Sequence, residues 1–176
     1  MLEDISTDEE APRAPSFPER AAAAISRLGG ALSALLILVV LAITAVSVFN
    51  RYFLGRPLMG VDEATGFLVV AIVMFGTAEA LRRGDHIRID LLFAHVGPKA
   101  RWWLELWSLA SVIVFAALLL VTSWHTVVFS RQFGAYSTGY LSLPMWIPQS
   151  TMVAGAVLLG LAALAAMLRL FGEKRP

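Results

Sequence analysis

Three long stretches of the chain contain no charged side chain, and they determine its fold class. They cover residues 28–50, 106–130 and 132–168, which are 23, 25 and 37 residues long. A helix needs about 20 apolar residues to cross the roughly 30 Å hydrocarbon core of a bilayer. A fourth, shorter uncharged stretch, residues 64–78, ends at Glu79. The pattern therefore predicts an integral membrane protein.

These stretches place four predicted spans at about residues 28–49, 61–81, 104–129 and 145–168. In lipid, only helices and closed barrels satisfy every backbone N–H and C=O group. The spans are continuously apolar without a period-two alternation, so they are predicted to be helices. The expected fold is an all-α integral membrane protein with four transmembrane helices. Its predicted parts are a polar N-terminal segment (1–27), a four-helix membrane domain (28–170) and a tail (171–176).

The distribution of Lys and Arg predicts the orientation. The N-terminal segment, the loop between the second and third spans and the C-terminus together hold eleven Lys and Arg residues. The other two loops hold only Arg51, Arg56 and Arg131. Cytoplasmic loops carry an excess of Lys and Arg, so both termini and the second loop are expected in the cytoplasm.

Local signals indicate where helices begin. Residues 16–19 form a capping box, which predicts that a helix starts before the first span and runs into it. A bend is expected at Gly29-Gly30. A short helix on the membrane surface is predicted over residues 90–97, with Pro98 opening the next helix. Pro148 is expected to mark the start of the fourth span or to kink it.

Composition excludes several classes of protein. With 58% hydrophobic and 15% charged residues, a soluble domain is excluded. A net charge of +1 without a basic stripe gives no sign of nucleic-acid binding. The absence of cysteine excludes disulfides and thiolate metal sites. The N-terminus is acidic and the first apolar run is long, so that run is interpreted as an uncleaved anchor.

Glu79 is the one acidic residue inside an apolar stretch. A carboxylate within a membrane is a candidate for proton or ion coupling. Arg82 and Arg83 follow at i+3 and i+4, which is the spacing of an ion pair on one helix face. Both interpretations stand, and the sequence favours the ion pair.

Two acids, Asp62 and Glu63, open the second span. Acids at a helix N-terminus interact favourably with the helix dipole, and Arg51 lies just across a short loop. A local contact between Arg51 and Glu63 is therefore one expectation. A docking surface for a periplasmic partner is the other, and the same residues can serve both.

The three histidines raise the question of a haem site, for which His86 and His95 could meet only in a polar loop without an apolar pocket. His125 lies near one end of the third span, whereas His86 and His95 lie in the loop at its other end. About 20 helical residues separate the two levels by roughly 30 Å, so they cannot share one axial pair. They are interpreted as polar surface residues, and no catalytic, metal or cofactor site is predicted.

Small residues in the fourth span predict close helix packing. Ala156 and Gly160 are four residues apart, as are Ala162 and Ala166. Such pairs allow another helix to approach closely.

Several short motifs between residues 49 and 164 occur in the order found in one membrane family. They are Arg51-Tyr52, Leu54-Gly55, Asp62-Glu63, Gly76, Ala78, Arg82, Gly84, the run from His86 to Asp90, Ser137-Thr138, Leu141, Pro144, Trp146 and Pro148. Together they resemble the DctQ-like small membrane subunit of TRAP (tripartite ATP-independent periplasmic) transporters. Val61 departs from the pattern, since the family often has tryptophan there.

The resemblance implies a non-enzymatic scaffold subunit in a bacterial inner membrane. It implies two partners, a large multi-span permease subunit and a periplasmic substrate-binding protein, and uptake of organic acids such as dicarboxylates. It places the sodium and substrate sites in the large subunit, so no cofactor is expected here. It gives structural or docking roles to Arg51, Asp62, Glu63, Arg82, His86, Arg88 and Asp90.

Two other functions fit a small four-helix membrane protein. One is the membrane anchor of an electron-transfer enzyme, and the other is a small proton-coupled exporter that uses Glu79. Transporter cores usually have broken helices and polar groups at mid-membrane. The middles of the first, third and fourth spans have no ionisable residue, which favours a supporting subunit.

Overall fold

Four long helices make up the computed structural model, which describes residues 17–83 and 97–172, without the side chains of residues 17–19, 98 and 99. They are α1 (Phe17–Phe53), α2 (Val61–Arg83), α3 (Pro98–Gln132) and α4 (Trp146–Gly172). Each is long and apolar enough to cross a membrane, and the described residues form no strand. The four predicted helices are confirmed. The surface helix predicted over residues 90–97 falls on residues that, apart from Gly97, lie outside this description.

The helices extend beyond the predicted spans. α1 begins at Phe17, ahead of the first span, as the capping box predicts, and continues through Gly29-Gly30 without interruption. α3 begins at Pro98 with Gly97 as its N-cap. Pro148 lies in the first turn of α4, where a missing backbone N–H costs no helical hydrogen bond. It therefore marks the beginning of this helix.

α4 is the central helix, because it packs against each of the other three. α3 packs on α4, and α1 packs chiefly on α2. Successive helices run in opposite directions, so the bundle has two distinct ends. We call the end with Arg27, Arg82, Arg83 and Arg169 the basic end. The other end, which carries the loops 54–60 and 133–145, is the loop end.

Small residues form the buried interior of the described part. Its buried apolar residues are Ala71, Ala78, Ala116, Ala156, Leu159, Ala162, Ala163 and Leu170, and no large side chain is fully buried there. Gly155 of α4 is also buried, and a Cβ atom at that position would lie 2.5 Å from the Cβ of Met74 and 2.8 Å from its carbonyl oxygen. In lipid, helices associate through such close backbone approach.

Large apolar side chains point outward, above all on α1 and α3. Leu38 and Leu41 of α1 are more than 60% exposed, as is Leu118 of α3. A soluble protein would not tolerate apolar surface of this extent, but lipid or another membrane subunit covers it at no cost. The two outer helices therefore face the membrane or a partner along most of their length.

The close contact at Gly155 generates a test of α2–α4 packing. Gly155→Ala is expected to destabilise the protein by about 1–3 kcal/mol, the usual cost of overpacking, because the new methyl group collides with Met74. The measurement is the midpoint of thermal unfolding of the full-length protein in detergent. The matched control is Gly66→Ala in α2, where an added Cβ atom would meet nothing within 4 Å beyond its own stretch of helix and alanine favours the helix. Equal midpoints for the two variants would contradict the proposed contact.

Candidate functional site

Glu79 lies at the basic end of α2, with both carboxylate oxygens bound by arginine. Arg82 donates from Nε to Oε2 at 2.7 Å and from Nη2 to Oε1 at 2.6 Å. Arg83 donates from Nε to Oε1 at 2.7 Å. The glutamate is only 7% exposed. Hydrogen bonds between ionised groups are the strong ones, so the predicted i+3 and i+4 ion pair is confirmed as a tight cluster.

α1 crosses directly over this cluster because it has no side chain there. A Cβ atom at Gly30 would lie 2.7 Å from Cγ of Glu79, and one at Gly29 would lie 2.9 Å from the carbonyl oxygen of Phe75. One turn further along, Ser33 donates from Oγ to the carbonyl oxygen of Ile72 at 2.9 Å. These contacts fix α1 against α2 and cover one side of the glutamate.

At the loop end, residues 133–145 fold back on themselves. Tyr136 and Pro144 form an isolated antiparallel bridge. The amide of Ser137 donates to the carbonyl oxygen of Leu143 at 2.8 Å, and the amide of Met145 donates to Ala135 at 2.9 Å. Internal hydrogen bonds therefore give this loop a defined shape between α3 and α4.

Glu63 joins this loop to the first turn of α2. Its Oε2 accepts a hydrogen bond from the amide of Leu141 at 3.1 Å, and the carboxylate lies against Gly139. Gly60, with a φ of 81° that favours glycine, sits beneath Leu141, whose Cγ would be 3.0 Å from a Cβ there. The Oε1 atom is buried and has no hydrogen-bond partner among the described residues. Glu63 therefore holds the 133–145 loop in place.

The expected contact between Arg51 and Glu63 is not formed. Arg51 is exposed, and Glu63 binds the backbone amide of Leu141 rather than a guanidinium group. The reason is that the carboxylate of Glu63 points toward the 133–145 loop, where a backbone amide binds it. Asp62, the neighbouring acid, is exposed. Arg51 and Asp62 are thus free surface charges, whereas Glu63 has a structural position.

Aromatic and apolar side chains surround the loop end and remain exposed. Tyr52 is 78% exposed and Tyr140 is 75% exposed. The others in this group are Phe53, Leu54, Leu58, Met59, Phe133 and Tyr136. Tyrosine suits a boundary where one part of the ring is apolar and the hydroxyl meets water, so this rim fits a membrane interface or a protein partner.

The small pair in α4 packs within the chain. Ala156 is only 2% exposed, and a Cβ atom at Gly160 would lie 3.8 Å from the Cβ of Ala116 in α3. The helix that Gly160 faces is thus α3 of the same chain. Ala156 is therefore not available to another subunit.

The remaining candidate site residues are either exposed or outside the described part of the chain. His125 is exposed on α3, while His86, His95, Arg88 and Asp90 lie outside the described residues. Within the part of the chain that is described, no group of three or more His, Asp or Glu residues could hold a metal ion.

Two features of these sites do not follow from the sequence analysis. The first is the contact of Gly29, Gly30 and Ser33 with α2. Small residues recur every three to four positions from Ser26, a spacing that favours close helix packing. The sequence analysis instead predicts a bend at the two glycines. The bond from Glu63 to Leu141 joins residues 78 positions apart. No local sequence pattern predicts a contact between residues so far apart in the chain.

The Glu63 contact predicts a change in local exchange. Glu63→Ala is expected to speed hydrogen exchange at the Leu141 amide about tenfold or more, because a hydrogen bond to a charged group contributes about 1.5–3 kcal/mol. Glu63→Gln keeps an oxygen acceptor and should give an intermediate rate. Asp62→Ala removes the same charge one residue away and serves as the control. If the Leu141 amide exchanges at the same rate in Asp62→Ala and Glu63→Ala, Glu63 does not hold the 133–145 loop in place.

Comparison with known proteins identifies the family. A family model described as the DctQ component of tripartite ATP-independent periplasmic transporters matches residues 40–173. The chain is 27% identical over 105 residues to the C4-dicarboxylate TRAP transporter small permease protein DctQ of Vibrio cholerae, a match that covers 58% of this chain and 44% of that protein. It is 26% identical over 137 residues to the ectoine TRAP transporter small permease protein TeaB of Halomonas elongata, covering 74% of this chain and 70% of that protein.

The matched region is thus less than half the length of the Vibrio protein, and no solved structure matches the chain. The family model nevertheless covers well over half of the 176 residues, including the C-terminal part of α1 from residue 40 onward and all of α2, α3 and α4. The chain therefore belongs to the DctQ family of TRAP transporter small permease subunits and is a multi-pass protein of the inner membrane.

Proposed function

We propose that this chain is the static scaffold subunit of a sodium-coupled, binding-protein-dependent transporter that takes up organic acids. Its partners in this proposal are a large multi-span permease subunit and a periplasmic substrate-binding protein. The observation that carries the proposal is the match of the DctQ family model to residues 40–173. The substrate and sodium sites then belong to the large subunit.

The chemistry of the helices supports a scaffold that binds no solute itself. The middles of α1, α3 and α4, residues 36–42, 111–120 and 153–161, contain no ionisable side chain. The acid in α2, Glu79, already has both carboxylate oxygens bound by two arginines. Transport sites usually combine interrupted helices with polar groups at mid-membrane, whereas these helices are continuous.

An organic acid is the substrate class we propose, with dicarboxylates as the first to test. One relative is named for C4-dicarboxylate and the other for ectoine. The two names differ, so the transported compound has to be measured with the complete system.

The exposed faces suggest how the scaffold meets its partners. α4 packs against all three other helices, whereas α1 and α3 expose large apolar side chains along most of their length, so we propose that the large subunit's static domain covers the apolar face of α1 or α3. The loop end then faces the periplasm, where Arg51 and Asp62 are free to contact the binding protein. Glu63 and Arg82 stabilise the structure through their hydrogen bonds. For His86, Arg88 and Asp90, in the loop between the second and third spans, we propose a structural or docking role.

The proposed orientation predicts which cysteines react from outside the cell. The chain has no native cysteine, so single cysteines give a clean signal. Ala100→Cys, near the start of α3, should resist a membrane-impermeant thiol reagent in intact cells. Thr138→Cys, exposed in the 133–145 loop, should react. Permeabilised cells provide the control, because both cysteines should then be labelled. The reverse pattern would place both termini in the periplasm.

Reconstitution tests the scaffold function directly. In liposomes, the chain alone should show no sodium-driven uptake of a radiolabelled dicarboxylate, because the middles of α1, α3 and α4 carry no ionisable group to bind it. Uptake should require this chain, the large subunit and the binding protein together. Sodium-driven uptake by this chain alone would refute the proposal. Proton-driven export by this chain alone that Glu79→Gln abolishes would instead support the exporter.

A further inference from the structure

A groove between α1 and α2 at the basic end has a chemistry that the scaffold function does not use. It is an open cavity of about 550 Å³ whose walls come from both helices. Arg27 of α1 and the cluster of Glu79, Arg82 and Arg83 line it, and toward the centre of the helices it continues past Ala34 and Ile37. One half of the groove is thus strongly polar and the other half is apolar.

The polar half carries an excess of positive charge. Three guanidinium groups and one carboxylate give a net charge of +2. Each guanidinium has five N–H donors, and the three hydrogen bonds to Glu79 use two donors of Arg82 and one of Arg83. Arg27 is exposed and donates to none of the described residues. Most of the donors around this end of the groove are therefore available to an anion.

The apolar half extends along α1 into the region that lipid surrounds. Arg27 and Ile37 are ten residues apart, which is about 15 Å along a helix. Ala34 is exposed, and Ile37 is 51% exposed. The groove floor is fixed, since Gly30 contacts Glu79 and Ser33 is hydrogen-bonded to α2. A ligand that fits both halves has an anionic group at one end and an apolar chain about 15 Å long.

We propose that this groove binds one anionic phospholipid. Its phosphate accepts hydrogen bonds from Arg27 and Arg83, and one acyl chain lies along Ala34 and Ile37. Guanidinium groups suit phosphate because their forked donors match two of its oxygens. Charge complementarity selects an anionic headgroup over a zwitterionic one, and the apolar half selects a lipid over free phosphate. The bound lipid supplies the counter-charge that the arginine cluster lacks.

The test uses the full-length protein in a neutral detergent and native mass spectrometry. Dioleoylphosphatidylglycerol should be retained at least fivefold better than dioleoylphosphatidylcholine. Arg27→Gln should lower phosphatidylglycerol affinity about fivefold, the effect of one basic residue beside an anionic lipid, and leave phosphatidylcholine unchanged. Arg169→Gln removes the same charge from the basic end, outside the groove, and should leave the affinity as it is. Arg83→Gln repeats the test at a second position, with size-exclusion profiles confirming folded protein.

Ala34→Trp separates a lipid from a free anion, because it fills the apolar half and keeps all the charges. It should lower phosphatidylglycerol affinity severalfold, and millimolar inorganic phosphate should not displace the lipid from the unmodified protein. Equal retention of the two lipids, or equal effects of Arg27→Gln and Arg169→Gln, would overturn the proposal. So would displacement by inorganic phosphate. If phosphatidylglycerol no longer binds when the protein is isolated with its large subunit, the proposal is also wrong, and the groove is instead occupied by a helix of that subunit.

Discussion

The backbones of α1 and α4 approach α2 at positions where a side chain would collide with the facing helix. Gly29 and Gly30 lie against Phe75 and Glu79, and Gly155 lies against Met74. In water, burial of large apolar side chains would drive such packing. In lipid that driving force between helices is absent, and short-range attraction at close approach replaces it. The rest of the architecture depends on this difference, since the interior is built mainly from small side chains rather than from large apolar ones.

Close packing also explains why charged groups are tolerated near the basic end. Glu79 is buried beneath α1, where an unpaired carboxylate would be costly. Arg82 and Arg83 come from the next turn of the same helix and satisfy both of its oxygens. The glycine at position 30 lets α1 cover this cluster without displacing it. The contact between α1 and α2 and the ion pairing of Glu79 therefore depend on each other.

Much of the fold follows from patterns that are local in sequence. The uncharged stretches predict four helices, Pro98 marks the start of α3, and the spacing of Glu79 to Arg82 and Arg83 predicts their ion pair. Contacts between distant segments do not follow. Glu63 was expected to meet Arg51, which is close along the chain, but the backbone amide of Leu141 binds it instead. Ala156 and Gly160 show that a helix packs there, yet the pattern does not say whether that helix belongs to the same chain.

The small-residue interior has a consequence for how many sequences can adopt this architecture. Outward positions on α1 and α3 require only an apolar side chain, and most inward positions require only a small one. Neither rule specifies a particular residue, in contrast to a tightly interlocked core, where shape must match. Extensive sequence drift is therefore compatible with an unchanged arrangement of helices. The residue type is constrained at few places, such as Gly30 above Glu79 and Gly60 beneath Leu141, where the close contact favours glycine.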